Sequence, residues 1–264
     1  MLSVNNIKVT FNAGTPIETK ALRGLSLIIP NGQFVTVIGS NGAGKSTLLN
    51  AISGEQEVDS GSIEIDGKKV DDQPVWNRAV HVARVFQDPM AGTCEDLTIE
   101  ENMALAVCRG KSRGLGFAVN KSMRKEFQEH LEQLGLGLEN RLTDRIGLLS
   151  GGQRQAVSLL MASLRPSRIL LLDEHTAALD PRTAEFVLGL TRRIVEKNNL
   201  TTMMVTHSMQ QALDIGDRTV MLHQGEIVLD VSGRQRANMD VTDLLKMFED
   251  TRGESISDDA LLLS

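Results

Sequence analysis

Ile7, Val9 and Phe11 alternate with polar neighbours, and so do Leu25, Leu27 and Ile29, a pattern that predicts two half-buried strands. Pro30-Asn31-Gly32 then turns the chain into Phe34-Val35-Thr36-Val37-Ile38, an apolar, β-branched run that reads as a strand buried on both faces. Helical spacing follows from Thr47 to Ser53, stopped by Gly54 at the C-cap. Ser62 to Ile65 predicts a strand leading into an Asp66-Gly67 hairpin turn. Val80, Val82 and Val85 predict another, which ends at Phe86-Gln87-Asp88-Pro89.

From Cys94 the spacing becomes helical. Thr98 and Glu101 make a capping box, and Ile99, Met103 and Val107 share the helix face behind it. Residues 109–114 read as a solvated loop, and Met123, Phe127, Leu131 and Leu134 as a second amphipathic helix ended by Gly135. Buried-strand runs resume at Ile169–Leu172 and Thr202–Thr206, with a helix carrying Phe186, Leu190 and Ile194 between them. A short helix with a capping box of Ser208 and Gln211 follows, then a hairpin of Val220, Leu222, Ile227 and Leu229 around Gln224-Gly225. Strands alternating with helices imply an α/β fold, with a mainly parallel core sheet, an antiparallel side sheet and an inserted helical lobe. The expected division is residues 1–93 with 167–230 as core and side sheet, and 94–166 as the helical lobe. Residues 231–264 form a C-terminal helix and an acidic tail, frayed from Thr251.

Between the first buried strand and its helix lies Gly39-Ser40-Asn41-Gly42-Ala43-Gly44-Lys45-Ser46. This is G-x-x-x-x-G-K-S in the strand-to-helix context that gives the motif meaning. Glycines let backbone N–H groups fold around an anion, and the helix N-terminus adds unpaired donors and partial positive charge. Lys45 would reach the terminal phosphates of a nucleoside triphosphate, and Ser46 would ligate magnesium.

Asp173 and Glu174 end the second buried strand, where ligands gather in open parallel sheets. Asp173 is placed to hold magnesium through water, and Glu174 to polarise the attacking water. Leu149-Ser150-Gly151-Gly152-Gln153 contains a capping box from Ser150 to Gln153. Two glycines in that first turn also bare backbone donors for a second anion. Whether both phosphate-binding ends face one nucleotide stays open at this point.

At 264 residues the chain has room for one large domain, or a domain with an inserted lobe. A net charge of −6 and a pI near 5.5 argue against a broad nucleic-acid surface. Two cysteines, Cys94 and Cys108, make no disulfide framework and suggest a reducing compartment, each read as a small buried hydrophobe. Met1-Leu2-Ser3-Val4-Asn5 shows no basic segment followed by an apolar core, so no secretory signal is expected. The uncharged stretch from Gly24 to Gly44 is broken by Pro30-Asn31-Gly32-Gln33, so no membrane crossing is expected either.

Gly39 to Ser46, Leu149 to Gln153, Ile169 to Glu174, Ala178-Leu179-Asp180 and His207 occur in an order that resembles the ATP-binding cassette (ABC) ATPases, a P-loop NTPase family. Gln87 stands where that family places its lid-loop glutamine, and the resemblance covers residues 2 to 230. It implies that ATP is bound by Phe11 and by Gly39, Ser40, Asn41, Gly42, Ala43, Gly44, Lys45, Ser46 and Thr47. Mg2+ would be held by Ser46, Gln87 and Asp173. Glu174 would be the general base, His207 the γ-phosphate contact and Gln87 the link to the helical lobe. The resemblance further implies a head-to-tail dimer in which Leu149, Ser150, Gly151, Gly152 and Gln153 face the other subunit's ATP. Asp180 would cross the interface as well as cap the next helix ahead of Pro181.

Two departures from the family stand out. The adenine usually stacks on a tyrosine; this chain has none, and Phe11 is the substitute, Phe34 facing the core. His175 replaces the proline usual after the catalytic glutamate. It leaves that bend looser, adds a titrating group, or changes nothing. The His175-to-Pro181 variant looks like a branch of bacterial uptake ATPases, which implies a subunit docked on the cytoplasmic face of a membrane permease. A solute-binding protein would belong to the system, with amino acids or similar small solutes as cargo. The helical lobe and the 87–101 loop would then receive a helix of the permease. The competing class is a soluble ABC ATPase such as an iron–sulfur assembly factor; a nucleotide kinase would leave residues 149–153 unexplained.

Overall fold

The computed structural model describes residues 1–111 and 118–252. Its strands are β1 (Leu2–Phe11), β2 (Thr19–Ile29), β3 (Phe34–Ile38), β4 (Ser60–Ile65), β5 (Lys68–Lys69), β6 (Val82–Val85), β7 (Ile169–Asp173), β8 (Thr201–Val205), β9 (Arg218–His223) and β10 (Glu226–Ser232). Its helices are α1 (Lys45–Ser53), α2 (Val75–Arg78), α3 (Ile99–Val107), α4 (Lys121–Glu132), α5 (Gly151–Ser163), α6 (Pro181–Asn198), α7 (Met209–Asp214), α8 (Gly233–Ala237) and α9 (Val241–Arg252). The chain divides into two compact units, one of Met1–Arg78 with the chain from Asn199 onward, the other of Ala79–Asn198.

In the first unit an antiparallel sheet runs β2-β1-β4-β5. Its register sets Val4 opposite both Leu27 and Ile63, and Leu2 opposite both Ile29 and Ile65. All six are buried, which is why β1 and β2 alternate in sequence: one face of each is covered. Asp66 and Gly67 both take positive φ, the conformation a two-residue hairpin turn demands.

The second sheet of this unit is parallel where it carries the nucleotide motif. β3 pairs in parallel with β8 and with β9, and β10 returns antiparallel to β9. β3 and β8 are buried at every position, Thr36, Thr201 and Thr202 as well as the apolar residues. Ile38, Met221, Leu229 and Val231 pack with Met209 and Ala212 of α7 and Leu244 of α9, so the C-terminal helix is docked rather than loose. The Ser208 cap is half of the expected box. Its hydroxyl accepts from the Gln211 N–H at 3.2 Å, but the Gln211 side-chain oxygen accepts from the Thr206 hydroxyl at 2.9 Å instead. Thr251 and Arg252 close α9, and the remainder of the tail lies outside the described residues.

In the second unit β6 and β7 pair in parallel, with Val82 opposite Ile169 and Val85 opposite Leu172. The Thr98–Glu101 capping box opens α3 as expected. Phe127 and Leu131 bury the apolar face of α4, and Leu134 is buried just past its end. Cys94 is exposed in the loop before α3 and Cys108 half-buried at its C-cap, so neither is the small buried hydrophobe expected from its residue type. Of the expected loop, Arg109 and Gly110 lie in the turn after α3 with Lys111 next to them, while residues 112–114 lie outside the described residues. Among the described residues no helix is long and apolar enough to cross a membrane.

Candidate functional site

The loop from Gly39 to Gly44 is closely built. A Cβ on Gly39 would overlap the Leu222 carbonyl oxygen, and one on Gly44 would lie 2.6 Å from the Ala21 carbonyl oxygen, with Gly44 at φ 102°. No other residue fits either position. The Gly225 N–H donates to the Ala43 carbonyl at 3.0 Å and ties the loop to the β9–β10 turn. α1 starts on Gly44 without a side-chain cap. The first N–H groups of the helix, those of Lys45, Ser46 and Thr47, therefore have no intrahelical acceptor. Lys45 is buried and its Nζ donates to the carbonyls of Gly39 and Ser40 at 2.6 and 3.0 Å, so its charge is held inside the loop. Together these make an anion cradle of backbone donors around one ammonium. Phe11 is exposed at the end of β1, while Phe34 is buried. His207 follows β8 and is half-buried.

The acidic centre lies at the end of β7 in the second unit. Asp173 and Glu174 are each 9% exposed, and Glu174 has φ 44°. Arg84 of β6 reaches across to Asp173, Nη2 to Oδ2 at 2.7 Å, and its guanidinium stacks 4.7 Å from the Phe86 ring centroid. The Phe86 carbonyl accepts from Gln155 Nε2 of α5 at 3.1 Å, which steadies the bend that begins at Gln87. Asp180 caps α6 through its carboxylate to the Thr183 N–H at 3.1 Å, and hydrogen bonds from Thr183 hold its pKa below the usual carboxylate range.

His175 is buried with Nε2 2.9 Å from Thr191 Oγ1, and burial pushes its pKa down to about 4. The imidazole is neutral at physiological pH, so it adds no group that titrates there. It does not leave the bend loose either, because its side chain is fastened to α6.

Both halves of the Ser150–Gln153 capping box are present: the Gln153 N–H reaches Ser150 Oγ at 3.3 Å and the Ser150 N–H reaches Gln153 Oε1 at 3.2 Å. Gly151 and Gly152 follow in the first turn, where helical geometry gives their N–H groups no acceptor. Gly152 is also fixed by packing, since a Cβ there would overlap Thr183 Cγ2. A groove of about 400 Å³ opens in this unit between the 89–94 loop, α3 and α5. Among the described residues Arg84 and Arg109 are its charged lining, and none of those residues that line it is a carboxylate.

The ABC transporter family profile matches residues 22–177, more than half of the chain. This chain belongs to that family. It is 45% identical over 252 residues to a tyrosine transport ATP-binding protein of Clostridioides difficile, covering 94% of this chain and 99% of that one. It is 36% identical to the aliphatic sulfonates import ATP-binding protein SsuB 2 of Agrobacterium fabrum, over 81% of this chain and 74% of that one. Among solved structures it matches the ATP-binding cassette MJ0796, a dimer in a post-hydrolysis state bound to ADP and Pi. That match has a TM-score of 0.76 and 30% identity, over 88% of this chain and 98% of that one. The chain is thus an ABC-type ATPase, the ATP-binding subunit of a transporter, with the α/β P-loop fold expected from its motifs.

Three residues of this ABC ATPase that its motifs do not reveal are Arg84, Gln155 and Thr191. Arg84 carries the one visible signal, a charge inside the apolar run Val82-Ala83-Arg84-Val85.

Proposed function

We propose that this ABC ATPase powers a bacterial importer of amino acids or similar small solutes, from the cytoplasmic face of the membrane. Two copies close head to tail on two ATP molecules. The Gly39–Gly44 loop, Lys45 and the open end of α1 hold the β- and γ-phosphates of ATP, and Phe11 stacks on the adenine. The Gly151–Gly152 helix start of the other copy meets the same γ-phosphate, and Asp180 contacts the partner across the interface. Ser46, Gln87 and Asp173 offer hydroxyl, amide and carboxylate oxygens, the hard donor set that suits Mg2+. When bound, Mg2+ supplies neutralisation of phosphate charge.

Glu174 orients the attacking water and takes its proton as the oxygen approaches phosphorus, while His207 contacts the γ-phosphate. The two-arginine groove receives a helix of the permease, and a solute-binding protein delivers the cargo. The observation that carries this reading is the pairing of an uncapped, lysine-bearing loop with a double-glycine helix start in one chain. The transport relatives favour it over a soluble assembly factor, and the tyrosine transport protein favours amino acids as cargo. The test is Glu174→Gln: it should abolish hydrolysis while trapping ATP in a dimer, and normal turnover would refute the assignment. Co-purification with a permease from solubilised membranes tests the transport partner.

A further inference from the structure

The bend that carries Glu174 includes two short-range bonds, the Ala177 N–H to the Glu174 carbonyl at 2.9 Å and the Leu179 N–H to the Thr176 carbonyl at 3.2 Å. Neither explains why Glu174 stays at φ 44°, a conformation that persists in a non-glycine residue only where the surroundings over-determine it. The next residue adds a constraint from a distant element. His175 joins Thr191 of α6, sixteen residues away, and both side chains are buried.

A threonine hydroxyl has one proton, and Thr191 Oγ1 lies 2.9 Å from the Val187 carbonyl as well as 2.9 Å from His175 Nε2. With the proton on Val187, Thr191 Oγ1 accepts from His175 Nε2–H, which calls for the neutral tautomer protonated on Nε2. α6 is also the helix capped by Asp180, so one hydrogen bond ties the bend bearing Glu174 to the helix that Asp180 heads.

We propose that His175 and Thr191 are a positioning pair that fixes the Glu174 carboxylate, doing by a side-chain hydrogen bond what a proline ring would do at position 175. The inference rests on the reading of Glu174 as the base. Without the pair, Glu174 relaxes toward the ordinary φ regions and its carboxylate leaves the line of attack, while the phosphate cradle is untouched.

Thr191→Val removes the acceptor at nearly constant shape, and His175→Leu removes the donor. Each should lower kcat about tenfold, the scale of one buried hydrogen bond, with KM for ATP and ATP affinity unchanged. Thr191→Ser and His175→Gln keep the groups and should recover most of the rate, and the double variant should be no worse than either single one. Imidazole 15N spectra at neutral pH should show His175 protonated on Nε2 alone.

A normal kcat in Thr191→Val, an equal loss in Thr191→Ser, or protonation on Nδ1 would overturn the proposal. Should Thr191→Val fail to fold, His175→Gln against His175→Leu makes the same comparison. Glu174→Gln run in parallel separates the two claims. If it still hydrolyses ATP, the base assignment falls; if it is inactive while Thr191→Val is normal, only the pair does.

Discussion

Arg84 holds the Asp173 carboxylate through one oxygen at 2.7 Å, with about a tenth of either side chain exposed. A charge-assisted bond in that setting steadies the acid, but the guanidinium also opposes a second cation beside the same carboxylate. Arg84→Met should lower the stability of the nucleotide-free protein by about 2 kcal/mol, the scale for leaving one member of a partly buried pair. Mg2+ with ATP should then stabilise the variant more than it stabilises the natural protein, because the carboxylate regains a positive neighbour. Urea unfolding with and without Mg-ATP measures both changes, and equal ligand-induced gains would count against competition at Asp173.

Gly152 is a packing residue as well as an open helix donor. Its missing Cβ is the space occupied by Thr183 Cγ2 on the first turn of α6. Gly152→Ala should cost about 1–3 kcal/mol by overpacking. Adding Thr183→Ser deletes the clashing methyl and should recover most of the loss in the same unfolding measurement. Failure to recover would mean that the strain lies elsewhere on α5.

The nucleotide loop and the buried strands were legible because each is over-determined locally: β3, β7 and β8 are built mainly of apolar and β-branched residues and are buried throughout, and Gly39 and Gly44 admit no side chain. Arg84 and Thr191 were not, because their meaning depends on which strand or helix faces them. Thr191 shares its buried helix face with Val187, Leu190, Ile194 and Val195, where a hydroxyl reads as a small core residue. Gln211 shows the limit of spacing alone. Thr206 competes for its oxygen, and tertiary geometry decides between two local partners.

Phe11 stands exposed at the end of β1, an aromatic face with no core to fill. If it stacks on adenine, Phe11→Ala should weaken ATP binding about tenfold, the scale of one aromatic stack, while Phe11→Tyr should hold it. Inorganic tripolyphosphate, which lacks a base, should bind all three proteins alike. Titration of fluorescent ATP, with tripolyphosphate as competitor, reads both arms. A loss shared by ATP and tripolyphosphate would remove Phe11 from the adenine site.

His175 gives the fold a pH dependence whose sign follows from burial. Its pKa is about 4 in the folded chain against 6.5 for an exposed imidazole, so between those values the unfolded chain binds the proton more readily. Above about pH 6.5 both states are neutral and the full stability is present. As the pH falls toward 4 the unfolded state gains, and this one residue removes up to about 3 kcal/mol. Urea unfolding at pH 7.0, 5.5 and 4.5 should show that decline, and His175→Gln should remove its histidine share. An unchanged slope in His175→Gln would place the titrating group elsewhere.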